Sequence, residues 1–169
     1  MADRFSLAGG MKQLQMLRGE DAYAAAIDEV IGRAQRTLHI FDVDLVRGDF
    51  GAAGRCAALG NFLSSKHGNR LDMVWHQTDF LVSHCPRLMQ LFKAYGHAFS
   101  IRQTFEHARV AADALIIADD LHYVHRFHHD APRFLLAFGD AEGARQMEER
   151  FGQLYEASFP AVSITNLGL

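Results

Sequence analysis

The stretch ALIIADDLHYVHRF, residues 114–127, determines how this chain folds. It opens with an apolar, partly β-branched run that is typical of a buried strand. Its second half fits another strand, whose side chains alternate between two faces. The acidic pair Asp119 and Asp120 separates the halves, and Asp tolerates the unusual backbone angles of a tight turn. We therefore predict a β-hairpin here.

Helix and strand signals alternate on both sides of this hairpin. Helical spacing of apolar residues, with Asp21, Pro86 and Asp140 as helix starts, predicts helices over residues 21–36, 51–69, 86–96 and 141–157. Apolar runs with β-branched and aromatic residues predict strands over residues 36–45, 70–76 and 97–104. Residues 105–113 fit neither pattern.

This order of elements predicts an α/β layered sandwich with a mixed, partly parallel sheet. We expect a single domain over residues 1–169, with a poorly patterned lead over residues 1–19 and a core over residues 20–160. The sequence contains no repeat, low-complexity segment or linker that would divide it.

The composition is that of an ordinary soluble globular protein: 169 residues, of which 49% are hydrophobic and 22% charged. A net charge of −3 without a run of like charge argues against strong nonspecific binding to nucleic acid or to an anionic membrane. No stretch reaches the roughly 18 apolar residues of a membrane span. Cys56 and Cys85 lack metal-ligand spacing, which favours a reduced, cytoplasmic setting.

Four histidines fall in and after the second hairpin strand: His122, His125, His128 and His129. In an extended strand, His122 and His128 share a face with Arg126, and His125 lies on the other. A guanidinium between two imidazoles disfavours a bound cation, and a metal cluster usually needs a further ligand converging from elsewhere. We therefore predict no metal site and no cofactor.

The hairpin resembles one half of the phospholipase D superfamily. ALIIADDLHYVHR is similar to the family's hairpin, and MEERFGQLYEAS, residues 147–158, is similar to its closing helix. The resemblance covers nearly the whole chain from about residue 20 and implies the family's chemistry. In that chemistry a His of a His-x-Lys motif attacks phosphorus, the Lys binds phosphate oxygens, and a His from a second half protonates the leaving group.

The chain departs from this motif at its chemical centre. Aligned through Asp119, the family's His and Lys fall on Ala112 and Ala114. Taking His107 as the nucleophile puts Arg109 in the place of Lys, but the carboxylate then slips by one residue to the opposite strand face. Neither alignment brings His, cation and carboxylate together.

Other residues at predicted strand ends are candidates for binding a ligand. In α/β sheets, ligands gather beyond the carboxyl ends of the strands. Asp42 and Asp44 end one predicted strand, His76 ends the next, and Arg126 lies on the returning hairpin strand. The structural alternative is that the two aspartates cap a helix or pair with Arg126, and that His76 is a hydrogen-bonded, semi-buried histidine.

Three functions follow from these residues. The favoured one is a catalytically degenerate phospholipase D-like module, not an enzyme, that binds a phosphate-containing ligand or a protein partner. The alternative is a homodimeric phosphodiesterase or nuclease in which two copies of His107, with Arg109, meet across a two-fold axis. The third is a structural subunit of another enzyme.

Overall fold

The computed structural model describes residues 11–44 and 47–162, and this part of the chain forms one sheet flanked by helices. The strands are β1 Gln13–Arg18, β2 Thr37–Asp42, β3 Arg70–Trp75, β4 Phe99–Thr104, β5 Ala114–Ala118, β6 His122–Arg126, β7 Arg133–Phe138 and β8 Ser158–Pro160. The α-helices are α1 Glu20–Arg33, α2 Ala53–Ser65, α3 Asp79–His84, α4 Pro86–Ala94 and α5 Ala141–Glu156. A short 3₁₀ helix spans Glu106–Ala108.

The sheet is mixed, as predicted, in the order β1-β7-β6-β5-β2-β3-β4-β8. Strands β2, β3 and β4 pair in parallel, and the remaining neighbours pair antiparallel. The parallel part follows from the helical crossovers of this α/β region, and the antiparallel part follows from the hairpin.

Two apolar cores lie on the two faces of the sheet. The larger packs α1, α2, α3 and α4 against one face, and its largest fully buried side chain is Trp75. The smaller packs α5 against the other face through Phe151 and Leu154. The result is the predicted three-layer α/β sandwich. No helix within the described ranges is both long and apolar enough to span a bilayer.

The predicted hairpin is confirmed, and its turn has a second role. Asp119 and Asp120 adopt φ values of 58° and 55°, the left-handed region that a tight hairpin turn requires. The Asp119 carboxylate also accepts hydrogen bonds from the backbone N–H groups of Gln35, Arg36 and Thr37, at 2.9, 2.7 and 3.0 Å. The turn therefore fixes the connection between α1 and β2.

Several elements differ from the sequence prediction. Strands β1, β7 and β8 and helix α3 were not predicted, and the residues of β1 lie within the lead described as poorly patterned. Helix α1 begins at Glu20 after Gly19, whose φ is 106°, so Asp21 lies inside the first turn. The N-cap role of Asp140 is confirmed, because its carboxylate accepts from the Gly143 N–H at 3.2 Å. The second hairpin strand ends at Arg126, which leaves His128 outside it.

Candidate functional site

Most of the predicted ligand-binding residues converge on one edge of the sheet. The carboxyl ends of β2, β3, β4 and β6 and the amino end of β5 meet there, because β5 runs antiparallel to both β2 and β6. We call this the site edge and define it by Asp42, His76, Thr104, Ala114 and Arg126. Asp44, half-buried, follows Asp42 by two residues.

Arg126 is the most deeply buried cation of the site edge, with 1% of its side chain exposed. Its Nη1 and Nη2 donate to the two carboxylate oxygens of Glu20 at 3.0 and 2.7 Å, and its Nε donates to the Ala131 carbonyl at 2.8 Å. The guanidinium also lies 4.6 Å from the ring centroid of Tyr23. The hydrogen bonds from Arg126 lower the pKa of Glu20. The pair is thus a charged, bidentate one.

Asp42 is a buried carboxyl group. Only 4% of the residue is exposed, and its Oδ1 accepts from the Val43 N–H at 2.7 Å. Burial raises the pKa of Asp42 to about 7, and the nearby charge of Asp44 acts in the same direction. Arg126 and Arg47 act against this rise. The group is therefore protonated through much of the weakly acidic range.

His76 has both ring nitrogens engaged. Nδ1 lies 2.7 Å from the Thr104 hydroxyl, and Nε2 lies 2.5 Å from the Ala111 carbonyl. Burial lowers the pKa of His76, and Arg109 and His129 lower it further. A neutral ring that donates to Ala111 and accepts from Thr104 satisfies both contacts. His76 therefore holds the segment that leads into β5.

Ala112 and Ala114, the two alanines of the first alignment considered from the sequence, border this segment. Ala114 is 1% exposed and lies directly across the β5–β6 ladder from Arg126. Ala112 is half-buried, and its carbonyl accepts from the His129 N–H at 2.6 Å. Both side chains are methyl groups, which neither attack phosphorus nor transfer a proton.

Asp113, between the two alanines, has its carboxylate engaged in ion pairs on the α5 side of the sheet. Arg150 donates to its two carboxylate oxygens at 2.6 and 2.5 Å, and His125 contacts it at 3.1 Å. Burial alone would raise the pKa of Asp113, but the bonds from His125 and Arg150 outweigh burial and lower it strongly. Asp113 is therefore an ionised structural carboxylate.

His107 and Arg109 lie apart from this bonded network, on the turn after β4. Both side chains are exposed, and the His107 ring stacks on Phe105 at a centroid distance of 6.0 Å. Their position at the surface leaves them accessible to a ligand or to a second molecule.

Besides the Asp113 network, two further charged networks among the described residues were not foreseen from the sequence. Glu20, the partner of Arg126, is 106 positions away in the chain. On the α5 face, His39 contacts Glu148 at 2.7 Å and Asp72 at 3.6 Å. Neither network leaves a signal in local spacing, since its members lie on different elements.

The fold defined by this sheet and site edge is the phospholipase D-like fold. The chain superposes on Nuc from Salmonella typhimurium, a phospholipase D family member, with a TM-score of 0.67 and 13% sequence identity, covering 90% of this chain and 100% of that one. It superposes on the archaeal chromatin protein TrmBL2 with a TM-score of 0.65 and 11% identity, covering 93% of this chain and 57% of that one. It superposes on phosphatidylserine synthase of Haemophilus influenzae Rd KW20 with a TM-score of 0.64 and 12% identity, covering 96% of this chain and 43% of that one.

The sequence itself matches the family described as "Domain of unknown function (DUF7931)" over residues 19–167. The chain belongs to that family. No curated protein sequence matches it.

Proposed function

We propose that this protein is a catalytically degenerate phospholipase D-like module that binds a phosphate-containing ligand at the site edge. The observation that carries the proposal is the position of Arg126. It lies across from Ala114, where the family resemblance would put the phosphate-binding lysine. The guanidinium of Arg126 on β6 thus takes the place of a lysine ammonium group on β5.

The loss of catalysis that we propose rests on the side chains at the start of β5 and in the residues just before it. Ala112 and Ala114 supply no nucleophile and no cation, and Asp113 is neutralised by Arg150 and His125. The chain therefore lacks, on this strand, the groups that phosphodiester cleavage by the family requires.

The binding part rests on the geometry of the Arg126–Glu20 pair. A guanidinium binds phosphate through the same two parallel N–H···O bonds that it makes with a carboxylate. The Glu20 side chain is 51% exposed, so its carboxylate can be displaced by an incoming anion. Arg47 also contacts Glu20, at 3.1 Å, and is 36% exposed. We expect Arg47 to form a second ion pair with the bound anion.

The other predicted residues fit supporting roles. His76 fixes the backbone before Ala112 through the Ala111 carbonyl. Asp42, protonated below a pH of about 7, adds little repulsion toward an anion there. As pH rises and Asp42 ionises, the site edge gains negative charge, and we expect phosphate binding to weaken.

Nucleic acid is one source of such a phosphate group. TrmBL2, of which this chain covers 57%, is described as an archaeal chromatin protein with a novel mode of DNA binding. The other function of a degenerate module is to bind a protein partner. We expect that function if no phosphate compound binds.

Isothermal titration calorimetry with inorganic phosphate tests the proposal. Glu20→Gln removes the competing carboxylate and should tighten phosphate binding by about tenfold, or about 1.4 kcal/mol. Arg126→Gln should abolish it. Arg145→Gln is a matched control, since Arg145 pairs only weakly with Glu149 on the exposed face of α5, at 3.8 Å. Binding that is unchanged in both Glu20 and Arg126 variants would overturn the proposal.

A second candidate function is a homodimeric phosphodiesterase that uses His107 and Arg109 across a two-fold axis. The exposure of both side chains favours it. It predicts turnover of bis(p-nitrophenyl) phosphate that is lost in His107→Ala, together with a dimer by light scattering. A monomer at high protein concentration would exclude this arrangement.

A further inference from the structure

The turn after β6 places three metal-ligating side chains together. One ligand atom from each of His128, His129 and Asp130 lies within 4.8 Å of the other two. We propose that these residues bind one divalent transition-metal ion of the zinc type, with solvent completing the coordination. Two imidazoles and a carboxylate are a ligand set that such ions prefer. None of these three residues belongs to the proposed phosphate site, although Arg47 contacts both Glu20 and Asp130.

The turn is fixed mainly by backbone hydrogen bonds, and the Asp130 N–H also donates to Nδ1 of the proposed ligand His128 at 3.2 Å. The His129 N–H donates to the Ala112 carbonyl at 2.6 Å, and the Ala131 N–H donates to the His128 carbonyl at 3.0 Å. Arg126 holds the Ala131 carbonyl at 2.8 Å. Because the backbone is already ordered, an ion need not organise a flexible loop in order to bind.

The sequence predicts no metal site only if the second hairpin strand continues through His128. In that geometry Arg126 would lie between two imidazoles. Instead β6 ends at Arg126, and the guanidinium is bonded to Glu20 and to the Ala131 carbonyl. His128 and His129 leave the strand and stack at a centroid distance of 4.9 Å. The positive charge of Arg126 is thus neutralised by Glu20.

Arg47 is the competitor for this site. Its Nη2 donates to Asp130 Oδ1 at 3.0 Å, and His129 Nδ1 lies 3.3 Å from the same oxygen. An ion bound to Asp130 Oδ1 must displace this guanidinium, and an ion bound to Oδ2 would lie close to its positive charge. Removing Arg47 should therefore strengthen metal binding, which is the opposite of what a merely structural turn predicts.

Cobalt(II) titration of the full-length, tag-free protein, followed by visible absorbance, tests the site. We expect one equivalent to bind, with affinity reduced at least about tenfold in His129→Ala and in Asp130→Asn. Arg47→Ala should bind severalfold more tightly. His67→Ala is the matched control, because it removes an exposed histidine outside the cluster, and it should bind as the wild type does.

Circular dichroism of each variant separates loss of the ligand from loss of the fold. Asp130→Asn, which preserves the side-chain shape, serves if His129→Ala unfolds. Absence of saturable cobalt binding to the wild type would overturn the proposal. So would binding that is equal in the wild type, His129→Ala and Asp130→Asn, or binding that weakens in Arg47→Ala.

Discussion

Ala114 and Arg126 are directly opposed residues in the antiparallel ladder between β5 and β6. Their side chains share a strand face, and both residues are almost completely buried. The cation of this face therefore comes from the returning strand and is held by Glu20 of α1, with Tyr23 beneath it. This single relationship links the sequence of the hairpin to the electrostatics of the site edge.

Arg126→Gln should lower the free energy of unfolding by about 2–4 kcal/mol, because it removes a buried guanidinium, its hydrogen bonds to the half-exposed Glu20 and its cation–π contact with Tyr23. Urea denaturation measures this. Arg145→Gln, on the exposed face of α5, should change stability by no more than about 0.5 kcal/mol. A loss as small for Arg126 as for Arg145 would show that the Glu20 pair contributes nothing to folding.

Ala114→Lys should destabilise the protein, since it puts a second cation about 5 Å from Arg126 in a buried position. The double variant Ala114→Lys with Arg126→Gln should recover part of that loss, because Glu20 can then pair with the new lysine. A double-mutant cycle gives the coupling free energy, which we expect to be at least about 1 kcal/mol. Additive effects of the two changes would contradict the idea that a cation at position 114 can replace Arg126 as the partner of Glu20.

Asp42→Asn should stabilise the protein in a pH-dependent way. Burial raises the pKa of Asp42 from 3.8 to about 7, so the folded state resists its ionisation while the unfolded state does not. The penalty grows as pH rises from about 4 to about 7 and reaches about 2–4 kcal/mol above that range. The variant should therefore gain most near a pH of about 8 and little near about 4. A gain that does not vary with pH would contradict the burial of an ionisable group.

His39→Gln should show the opposite pH dependence. Burial alone would lower the pKa of His39, but the carboxylates of Asp72 and Glu148 outweigh it and raise that pKa from 6.5 to about 9. The stabilisation by protonated His39 is fully present below a pH of about 6.5 and is lost as pH rises through about 9. Wild type and variant should thus differ by about 2–3 kcal/mol near a pH of about 6 and converge in alkaline solution. The His39 ring also stacks on Phe151 at a centroid distance of 4.6 Å, and a difference that persists in alkaline solution would mean that this stacking, and not charge, holds His39.

The sequence predicts the layered fold well because its signals are local. The hairpin turn at Asp119 and Asp120 and the N-cap at Asp140 follow from the residues themselves. The missed strand β7 lies between the turn after β6 and that N-cap, and six residues beside strong turn signals were assigned no element. The missed strand β1 is exposed along most of its length, so its alternating Gln and apolar residues do not show which face is buried.

The positions of the site-edge residues were predicted in part, because only local features leave a signal in the sequence. Strand ends are predictable from local pattern, which is why Asp42, His76 and Arg126 were found together. Their partners were not, because Glu20 reaches Arg126 and Ala111 reaches His76 only through the tertiary fold. The ionisation state of Asp42 likewise depends on burial that no spacing reveals.

The most direct test of the account is a calorimetric titration with bis(p-nitrophenyl) phosphate in which release of p-nitrophenol is followed on the same sample. We predict saturable binding that is tighter in Glu20→Gln than in the wild type, with no p-nitrophenol above the protein-free rate. Turnover by the wild type that disappears in His107→Ala would contradict degeneracy and establish the phosphodiesterase. Absence of binding to both proteins would contradict the anion site at Arg126.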